Sequence, residues 1–315
     1  MKPTNQTLKI ESARSFSRIV VNEFRLNNPN LELQGCLKPT YPSSMQEVKL
    51  FHKEIPQIGF HPVVLSTLCG TVFGDSSLKV QKGYANARLS YRHSSRQTDW
   101  FMWKTLCAFR EFTTEEGIQF QLPDGYQAEA SAIVGEYLGK WKISTRVDER
   151  LTSLQEKIAP NNVKRIQRFW LNHMNNYFLM TLWLDDGGLT GNLGCQGMIA
   201  TGEMPLDQVN ILAEYLKTVW KINCHGGELD SQKMKNGRLV TRLYISDQEN
   251  LQEFLRIIAP IIPVKSMLYK ICFFPNDVSL QQRWASELKS MIRPEWHDEI
   301  DKIYSYKRIK FLSGS

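Results

Sequence analysis

Two acidic positions that could carry metal chemistry stand at the ends of uncharged, apolar segments in distant parts of the chain. The first segment, LCGTVFGD at residues 68–75, ends in Asp75, and the second, LMTLWLDD at residues 179–186, ends in Asp185 and Asp186. Two carboxylates brought close together cannot both stay ionised at low cost unless a divalent cation neutralises them. Because Mg²⁺ prefers oxygen ligands and bridges carboxylates to phosphate oxygens, paired acids at two helix ends are typical of phosphodiester hydrolysis.

Either acidic end taken alone has a plainer interpretation, as a turn closed by aspartate hydrogen bonds. Repetition favours a paired site, because each acid is followed by alternating segments and then by amphipathic ones in the same order. Gly187 and Gly188, directly after the second acid, allow the backbone to turn at once into a strand. The two stretches therefore predict pseudo-symmetric halves, each starting with a buried helix that ends in an acid.

Hydrophobic periodicity gives the elements of each half. The first half is predicted to contain a buried helix, two strands, an amphipathic helix, a further strand and a helix: residues 63–74, 77–83, 85–94, 99–112, 139–146 and 147–158. The second half is predicted to contain a long helix, a hairpin-like stretch, an amphipathic helix, a strand and a helix: residues 163–186, 188–202, 206–222, 237–247 and 249–262. A short helix is also predicted around FSRIVVNEF, near the N-terminus.

Both acidic helix ends resemble the nine-residue signature of the LAGLIDADG homing endonucleases, with the acid in the eighth position. The matching stretches are LCGTVFGDS at residues 68–76 and LMTLWLDDG at residues 179–187. The second, read as LWLDDGG, is similar to the second motif of the single-chain, intron-encoded meganucleases. The resemblance favours Asp186 over Asp185 as the reactive carboxylate, and it implies that Asp75 and Asp186 together bind Mg²⁺ or Mn²⁺.

The resemblance covers residues 62–274 and implies an α+β fold. Two pseudo-symmetric αββαββα halves would join at a two-helix interface, each half with a saddle-like antiparallel sheet for DNA. The implied division is an N-terminal accessory segment, two halves and a C-terminal helical extension: residues 1–61, 62–160, 161–274 and 275–315. The family further implies a monomer that cuts double-stranded DNA at a long, nearly palindromic target. It implies that the protein is located in an organelle (mitochondrion or chloroplast), and without the resemblance an intracellular location is expected.

Small residues suit helices that pack closely. Gly70 and Gly74 lie four positions apart, on one face of the first predicted helix. The corresponding positions of the second helix hold Thr181 and Asp185, which are larger than the family's usual glycine or alanine. These two faces are predicted to form the helix–helix contact.

The resemblance also implies a lysine from each half near the cut site, where it would polarise or orient the attacking water. Lys270 ends the tract IIPVKSMLYK, which resembles the family's second-half tract. Lys157 lies in EKIAPNN, which resembles the tract that carries the first-half lysine. Without the resemblance, both residues would be interpreted as solvated surface lysines.

Basic residues recur at alternate positions of the predicted strands, which leaves one apolar and one basic face. Such a face can lie in the major groove of DNA, where base edges differ, while other cations contact phosphates. The alternative is an ordinary solvent-exposed sheet face. The candidate DNA-binding residues are Lys79, Lys82, Arg88, Arg92, Lys140, Lys142 and Arg146 in the first half, and Lys233, Lys235, Arg238 and Arg242 in the second.

The bulk composition agrees with a polyanion partner without requiring one. The net charge is +7, whereas the hydrophobic (42%) and charged (23%) contents are ordinary for a globular protein. The cysteines show no CxxC or zinc spacing and are expected to be free thiols, and the histidines show no ligand spacing. No apolar run is long enough to cross a bilayer, so no membrane partner is expected.

Three functions share this architecture. The first is metal-dependent cleavage of both strands of a DNA duplex. The second is that of an intron maturase, which binds intron RNA as a splicing cofactor, and the third is that of a DNA-binding regulator that does not cleave. Retention of both acids favours cleavage, since neither RNA binding nor regulation needs them.

Overall fold

The computed structural model describes residues 17–27, 40, 58–74, 76–121, 139–191, 194–202, 204–233 and 239–313. Its helices are, in chain order, α1 (residues 17–27), α2 (Pro62–Phe73), α3 (Thr98–Trp103), α4 (Glu149–Ile158), α5 (Arg168–Leu171), α6 (Asn176–Asp186), α7 (Leu206–Tyr215), α8 (Gln248–Ile258), α9 (Val278–Met291) and α10 (His297–Ser313). Its strands are β1 (Ser76–Val80), β2 (Ala87–Ser94), β3 (Ile118–Gln121), β4 (Lys140–Ser144), β5 (Gly187–Thr190), β6 (Gln196–Gly202), β7 (His225–Lys233) and β8 (Leu239–Ile245). Within the described residues, no helix combines the length and apolar character that a membrane span needs.

Contacts divide the chain into two compact units. The first unit is built from residues 1–36 and 75–155, and the second from residues 37–74 and 156–315. Helix α2 therefore belongs to the same unit as α6, although it precedes the first sheet in the sequence. The division of the chain in space differs in this respect from the repeat in the sequence, because α2 packs along α6.

Each unit contains one four-stranded antiparallel sheet, and the two sheets have the same strand order. The order is β1-β2-β4-β3 in the first unit and β5-β6-β8-β7 in the second. The helix after each first hairpin, α3 or α7, continues into a π-helical turn, Lys104–Ala108 or Leu216–Trp220. This repetition confirms the predicted α+β architecture with pseudo-symmetric halves.

The alternation pattern missed one strand in each half. Strand β3 follows α3 and pairs with β4, and strand β7 follows α7 and pairs with β8. Both complete the αββαββα order that the family resemblance implies. In β3 the apolar side chains of Ile118 and Phe120 are buried between exposed glutamines, but four residues are too few to stand out as a period-two pattern.

Aromatic side chains fill the core of the first unit. Trp100 and Phe101 of α3 are fully buried, and the ring of Phe101 stacks on Trp141 of β4 with ring centroids 5.7 Å apart. Helix α1, as predicted, is helical and lies beside the edge strand β3, where the Phe120 backbone N–H donates to Ser17 Oγ at 3.2 Å. The sheet therefore buries one face and leaves the other outward.

Helices α2 and α6 of the second unit are buried on all sides because neither carries a charge before its C-terminal end. Every residue of α2 from Val63 to Phe73 is buried, and so is every residue of α6 from Asn176 to Leu184. Pro62 occupies the first position of α2, where its missing N–H and its fixed φ are tolerated. Such helices gain their stability from packing and not from an amphipathic surface.

The prediction of one helix over residues 163–186 is wrong. The chain forms the single turn α5, leaves helical geometry at Asn175, and begins α6 at Asn176. The Asn175 side chain caps α6 by accepting from the Tyr177 N–H at 3.0 Å, and its amide donates to the Pro62 carbonyl at 3.2 Å. Asparagine competes well for helix N-caps, and this bond to the start of α2 makes the break favourable.

The prediction that glycines after the second acid serve the turn is also incorrect for Gly187. Its φ of −82° is open to any residue. A Cβ atom on Gly187, however, would lie 2.5 Å from Cε3 of Trp183. Glycine is needed there because the Trp183 ring fills the space, and not because of backbone conformation.

The C-terminal extension is helical and covers part of the second unit. The indole Nε1 of Trp284 in α9 donates to the Ile271 carbonyl at 3.0 Å. The hydroxyl of Tyr304 in α10 donates to the Phe273 carbonyl at 3.0 Å. Both side chains are buried, so α9 and α10 stabilise the segment that follows α8.

Replacement of Asn175 by alanine is expected to destabilise the protein by about 1 kcal/mol, because the Tyr177 N–H loses the side-chain oxygen that caps α6. Urea unfolding followed by circular dichroism measures the change. Asn172→Ala is the matched control. Asn172 is partly exposed, and its side chain accepts a surface hydrogen bond from Arg168 Nε instead of capping a helix. Equal destabilisation by both variants would contradict the capping role.

Candidate functional site

The contact between α2 and α6 is close enough to exclude side chains at two positions. A Cβ atom on Gly70 would lie 2.7 Å from Thr181 Cβ and 2.9 Å from the Phe178 carbonyl oxygen. One turn further along, a Cβ atom on Gly74 would lie 3.1 Å from Asp185 Cβ. These distances confirm the predicted facing of Gly70 with Thr181 and of Gly74 with Asp185.

The close packing of α2 and α6 also places a carboxylate of α6 beside the C-terminal end of α2. Asp186 is the last residue of α6, and its Oδ2 would lie 2.6 Å from a Cβ atom placed on Gly74. The residue that follows Gly74 in the chain is Asp75, which lies outside the described residues, so its pairing with Asp186 stays a prediction. Asp185 and Asp186 are both partly exposed.

These acids stand where the helix itself disfavours them. The C-terminal end of a helix carries partial negative charge, which repels carboxylates. The position of Asp185 and Asp186 is therefore unfavourable with respect to the α6 dipole, and their oxygen atoms are the ligands that Mg²⁺ takes in proteins. Among the described residues no group of three or more His, Cys, Asp or Glu side chains comes together. One or two carboxylates still fit a cation that keeps several of its waters and shares phosphate oxygens with a substrate.

Lys270 is buried and holds the end of α6. Its Nζ donates to the carbonyl oxygens of Leu184 at 2.7 Å and Gly187 at 2.8 Å, with longer bonds to those of Trp183 and Asp185. In return, Trp183 Nε1 donates to the Lys270 carbonyl at 3.1 Å. The ammonium thus satisfies carbonyls that a helix end leaves unpaired and lies one or two residues from both acids.

The end of the first acid-bearing helix also has a lysine beside it, Lys164, while the role predicted for Lys157 stays a prediction. Lys164 is partly buried and its Nζ donates to the Gly74 carbonyl at 2.9 Å. Lys157 lies exposed in the last turn of α4. A signal for Lys164 was present, because the tripeptide Ile-Ala-Pro occurs at residues 158–160 and again at 258–260, upstream of Lys164 and Lys270 respectively.

The outward face of the first sheet is hydrophilic and basic across all four of its strands. Its side chains, in the part of the chain that the structure describes, are only serine, glutamine, lysine and arginine: Ser77, Lys79, Arg88, Ser90, Arg92, Ser94, Gln119, Gln121, Lys140, Lys142 and Ser144. We call this surface the basic face.

Cations oppose one another directly on the basic face. Lys79 pairs across the strands with Arg88, and Arg92 pairs with Lys142. Like charges in directly opposite positions destabilise a sheet, so folding alone does not explain them. A polyanion that lies on this face would remove the repulsion.

The predicted DNA-binding residues lie in different parts of the structure. Five lie on the basic face: Lys79, Arg88, Arg92, Lys140 and Lys142. Lys82 is exposed in the turn after β1, and Arg242 lies on the outward face of the second sheet. Arg146 lies beyond the end of β4, where its guanidinium donates to the Glu111 carbonyl. Lys235, Arg238 and the side chain of Lys233 are outside the described residues.

Comparison with known proteins agrees with this geometry. The profile of the family described as "LAGLIDADG DNA endonuclease family" matches residues 65–254, more than half of the chain. The solved structure of the homing endonuclease I-WcaI bound to its DNA recognition sequence has 20% identity and a TM-score of 0.53, covering 68% of this chain and 88% of that one. At this identity the likeness shows the fold.

Two weaker structural likenesses add nothing to this. The N-terminal LAGLIDADG domain of DUF199/WhiA has 14% identity and a TM-score of 0.38, covering 71% of this chain and 95% of that one. I-DmoI in complex with its target DNA has 14% identity and a TM-score of 0.35, covering 62% and 96%. No curated protein matches the chain significantly.

Gly70→Ala is expected to lower the free energy of unfolding by roughly 1–3 kcal/mol, because the new methyl group forces α2 away from Thr181 and the Phe178 carbonyl. This would outweigh the gain in helix propensity that alanine normally brings. Chemical denaturation measures it. Gly188→Ala is the control, since a Cβ atom there meets nothing within 4 Å, and an equal loss in that variant would contradict the steric explanation.

Proposed function

Because this chain belongs to the LAGLIDADG DNA endonuclease family, we propose that it is a site-specific endonuclease that uses Mg²⁺ to cut both strands of a long DNA duplex. Mn²⁺ would serve in place of Mg²⁺, since it takes the same oxygen ligands. The observation that carries the proposal is the basic face, whose opposed cations weaken the free sheet and suit a phosphate-rich partner.

The basic face would place DNA in two ways. Arginine and lysine bind phosphate oxygens, which position the duplex, and they also donate to the O6 and N7 atoms of guanine in the major groove. Serine and glutamine between the cations donate and accept hydrogen bonds with either kind of group. An antiparallel pair of strands fits the width of the major groove, which suits central strands β2 and β4 for base contact.

The acids and lysines at the helix ends would carry the hydrolysis. Asp186, together with Asp75, would hold the divalent cation, which when bound supplies an activated water and stabilises the leaving oxygen. Lys270 holds the backbone of the turn that bears Asp186, and Lys164 holds the carbonyl directly before Asp75. The two lysines would be positioning residues, because each binds backbone carbonyls beside an acid and not the acid itself.

Two other functions use the same fold: RNA binding as an intron maturase, and DNA binding without cleavage. The acids disfavour both, because Asp185 and Asp186 lie at the unfavourable end of a helix dipole and neither function uses them. Gel shifts on duplex DNA and on structured intron RNA, with and without Mg²⁺, distinguish the three. A cleavage selection from a randomised duplex library with Mg²⁺ tests the proposal directly, and recovery of no cut duplex would refute it.

Asp186→Asn is expected to slow cleavage by about 100-fold or more, equivalent to about 2.7 kcal/mol, because an amide binds Mg²⁺ more weakly than a carboxylate does. Duplex affinity in Ca²⁺ should stay within a few-fold of the wild type. Single-turnover cleavage of the selected duplex gives the rate, and a gel shift gives the affinity.

Asp185→Asn is the matched control, since it removes the same charge one residue earlier and is expected to retain most of the activity. The opposite outcome, loss of cleavage on substitution of Asp185 and retention on substitution of Asp186, would show that Asp185 is the reactive carboxylate.

Removal of a cation from the basic face should reduce the salt dependence of DNA binding. For Lys142→Gln the slope of log Kd against log salt concentration is expected to fall by about 0.9, the value for one phosphate that is no longer neutralised. The thermal midpoint should rise slightly, because Arg92 is freed of the like charge opposite it. Loss of a lysine with a purely structural role would leave the slope unchanged and would lower the thermal midpoint.

Arg146→Gln is the control for this measurement. The Arg146 guanidinium donates to the Glu111 carbonyl and lies beyond the strand, so the slope is expected to stay near that of the wild type. A fall in slope as large as that for Lys142→Gln would mean that DNA contact extends past the basic face.

A further inference from the structure

The two sheets differ in the cross-strand row whose first residue, Ser77 or Gly188, follows an acid by two positions in the sequence. In the first sheet this row is Ser77, Ser90 and Ser144, and the hydroxyls of Ser90 and Ser144 lie 3.2 Å apart. Its counterpart in the second sheet runs across all four strands and consists of Gly188, Met198, Tyr244 and His225. A row of hydroxyls is thus replaced by a mostly apolar row.

The packing of neighbouring groups holds the apolar row in place. The Tyr244 ring stacks on His225 with centroids 5.6 Å apart and an interplanar angle of 25°. A Cβ atom on Gly227 would lie 3.0 Å from Tyr244 Cε2, so the ring lies across β7 where a side chain is missing. On the other side, Met198 is directly opposite Tyr244, and the space beside Gly188 is open. The row therefore forms a preformed, shallow surface.

The neighbouring outward positions of the second sheet also carry apolar side chains. Ala200 and Val240 are partly exposed on central strands β6 and β8, beside Arg242. Their counterparts on β2 and β4 of the first sheet are serine, lysine and arginine. The second outward face therefore offers methyl and thioether groups where the first offers hydrogen-bond donors.

Only one group on the major-groove edge of DNA suits such a surface. Thymine carries the C5 methyl group, whereas the nitrogen and oxygen atoms of the major-groove edge are hydrogen-bond donors or acceptors that lose water against an apolar side chain. Lysine and arginine instead favour the two acceptors of guanine. The apolar positions of the second sheet and the basic face thus prefer different bases.

We propose that the second unit reads a thymine-rich half-site through the thymine methyl groups, chiefly with Met198, Tyr244 and Val240, while the first unit reads guanines through the basic face. The target is therefore asymmetric in base composition, in contrast to the nearly palindromic site that the family resemblance implies. The proposal rests on the proposed function, since it takes duplex DNA as the substrate.

The test replaces thymine by deoxyuridine, which removes the C5 methyl group and leaves every hydrogen-bonding atom in place. The duplex recovered by selection is made in two forms, with all thymines of one half-site or of the other replaced. The full chain should bind one form about fourfold more weakly for each bound methyl group that is removed, and should bind the other form as tightly as the parent duplex.

A variant assigns the sensitive half-site to the second sheet. Met198→Ser should weaken binding to the parent duplex and reduce the further loss that deoxyuridine causes in that half-site. Val240→Ser makes the same measurement where Met198→Ser does not fold, and circular dichroism establishes folding. Ser90→Ala, in the equivalent row of the first sheet, should leave the deoxyuridine effect unchanged.

The possible outcomes distinguish failure of this inference from failure of the proposed endonuclease function. Failure to select any duplex contradicts the proposed function and the inference with it. Selection and cleavage of a duplex that binds equally well with deoxyuridine in either half-site contradicts the inference alone, as does a selected site whose halves mirror each other. Disappearance of the deoxyuridine effect in Ser90→Ala would place methyl recognition on the first sheet and overturn the inference.

Discussion

The close approach of α2 and α6 is the constraint on which the candidate site depends. Where Gly70 faces Thr181 and Gly74 faces Asp185, no side chain fits between the helices, so the backbones themselves are in contact. That contact brings the Asp186 carboxylate against the last residue before Asp75. A side chain at either glycine would widen the gap and move the carboxylate away from the end of α2. The packing of two apolar helices thus determines the position of a charged group.

Two sets of electrostatic interactions in the structure are unfavourable, and neither is required for folding. Asp185 and Asp186 lie at the negative end of their helix dipole, and Lys79 and Arg92 face like charges across the basic face. Lys270 and Lys164 offset part of the first set by binding carbonyls at the ends of α6 and α2. A divalent cation would relieve the remainder of the first set, and phosphate groups would relieve the second. Local violations of this kind are typical of functional surfaces.

Pseudo-symmetry of the backbone does not extend to the side chains. The two sheets share strand order, although within the described residues only the second has register shifts, and one outward face carries opposed cations where the other carries Met198, Tyr244 and Val240. Strand order depends on the buried side chains, which are mostly apolar in both sheets. The outward side chains contribute little to folding and are therefore able to diverge between the two halves.

The sequence by itself determined what depends on local period. The apolar runs identified α2 and α6, the spacing of Gly70 and Gly74 identified their contact, and alternation placed Lys79 and Lys142 on one face, because a strand repeats every two residues and a helix every 3.6. Only the tertiary structure decided which lysine holds α2 and that Arg146 donates to a carbonyl away from the sheet. It also decided that the predicted long helix breaks at Asn175 and that Gly187 makes room for Trp183. Each of these depends on a neighbour in space, such as Gly74 for Lys164 or Pro62 for Asn175, and periodicity carries no record of such partners.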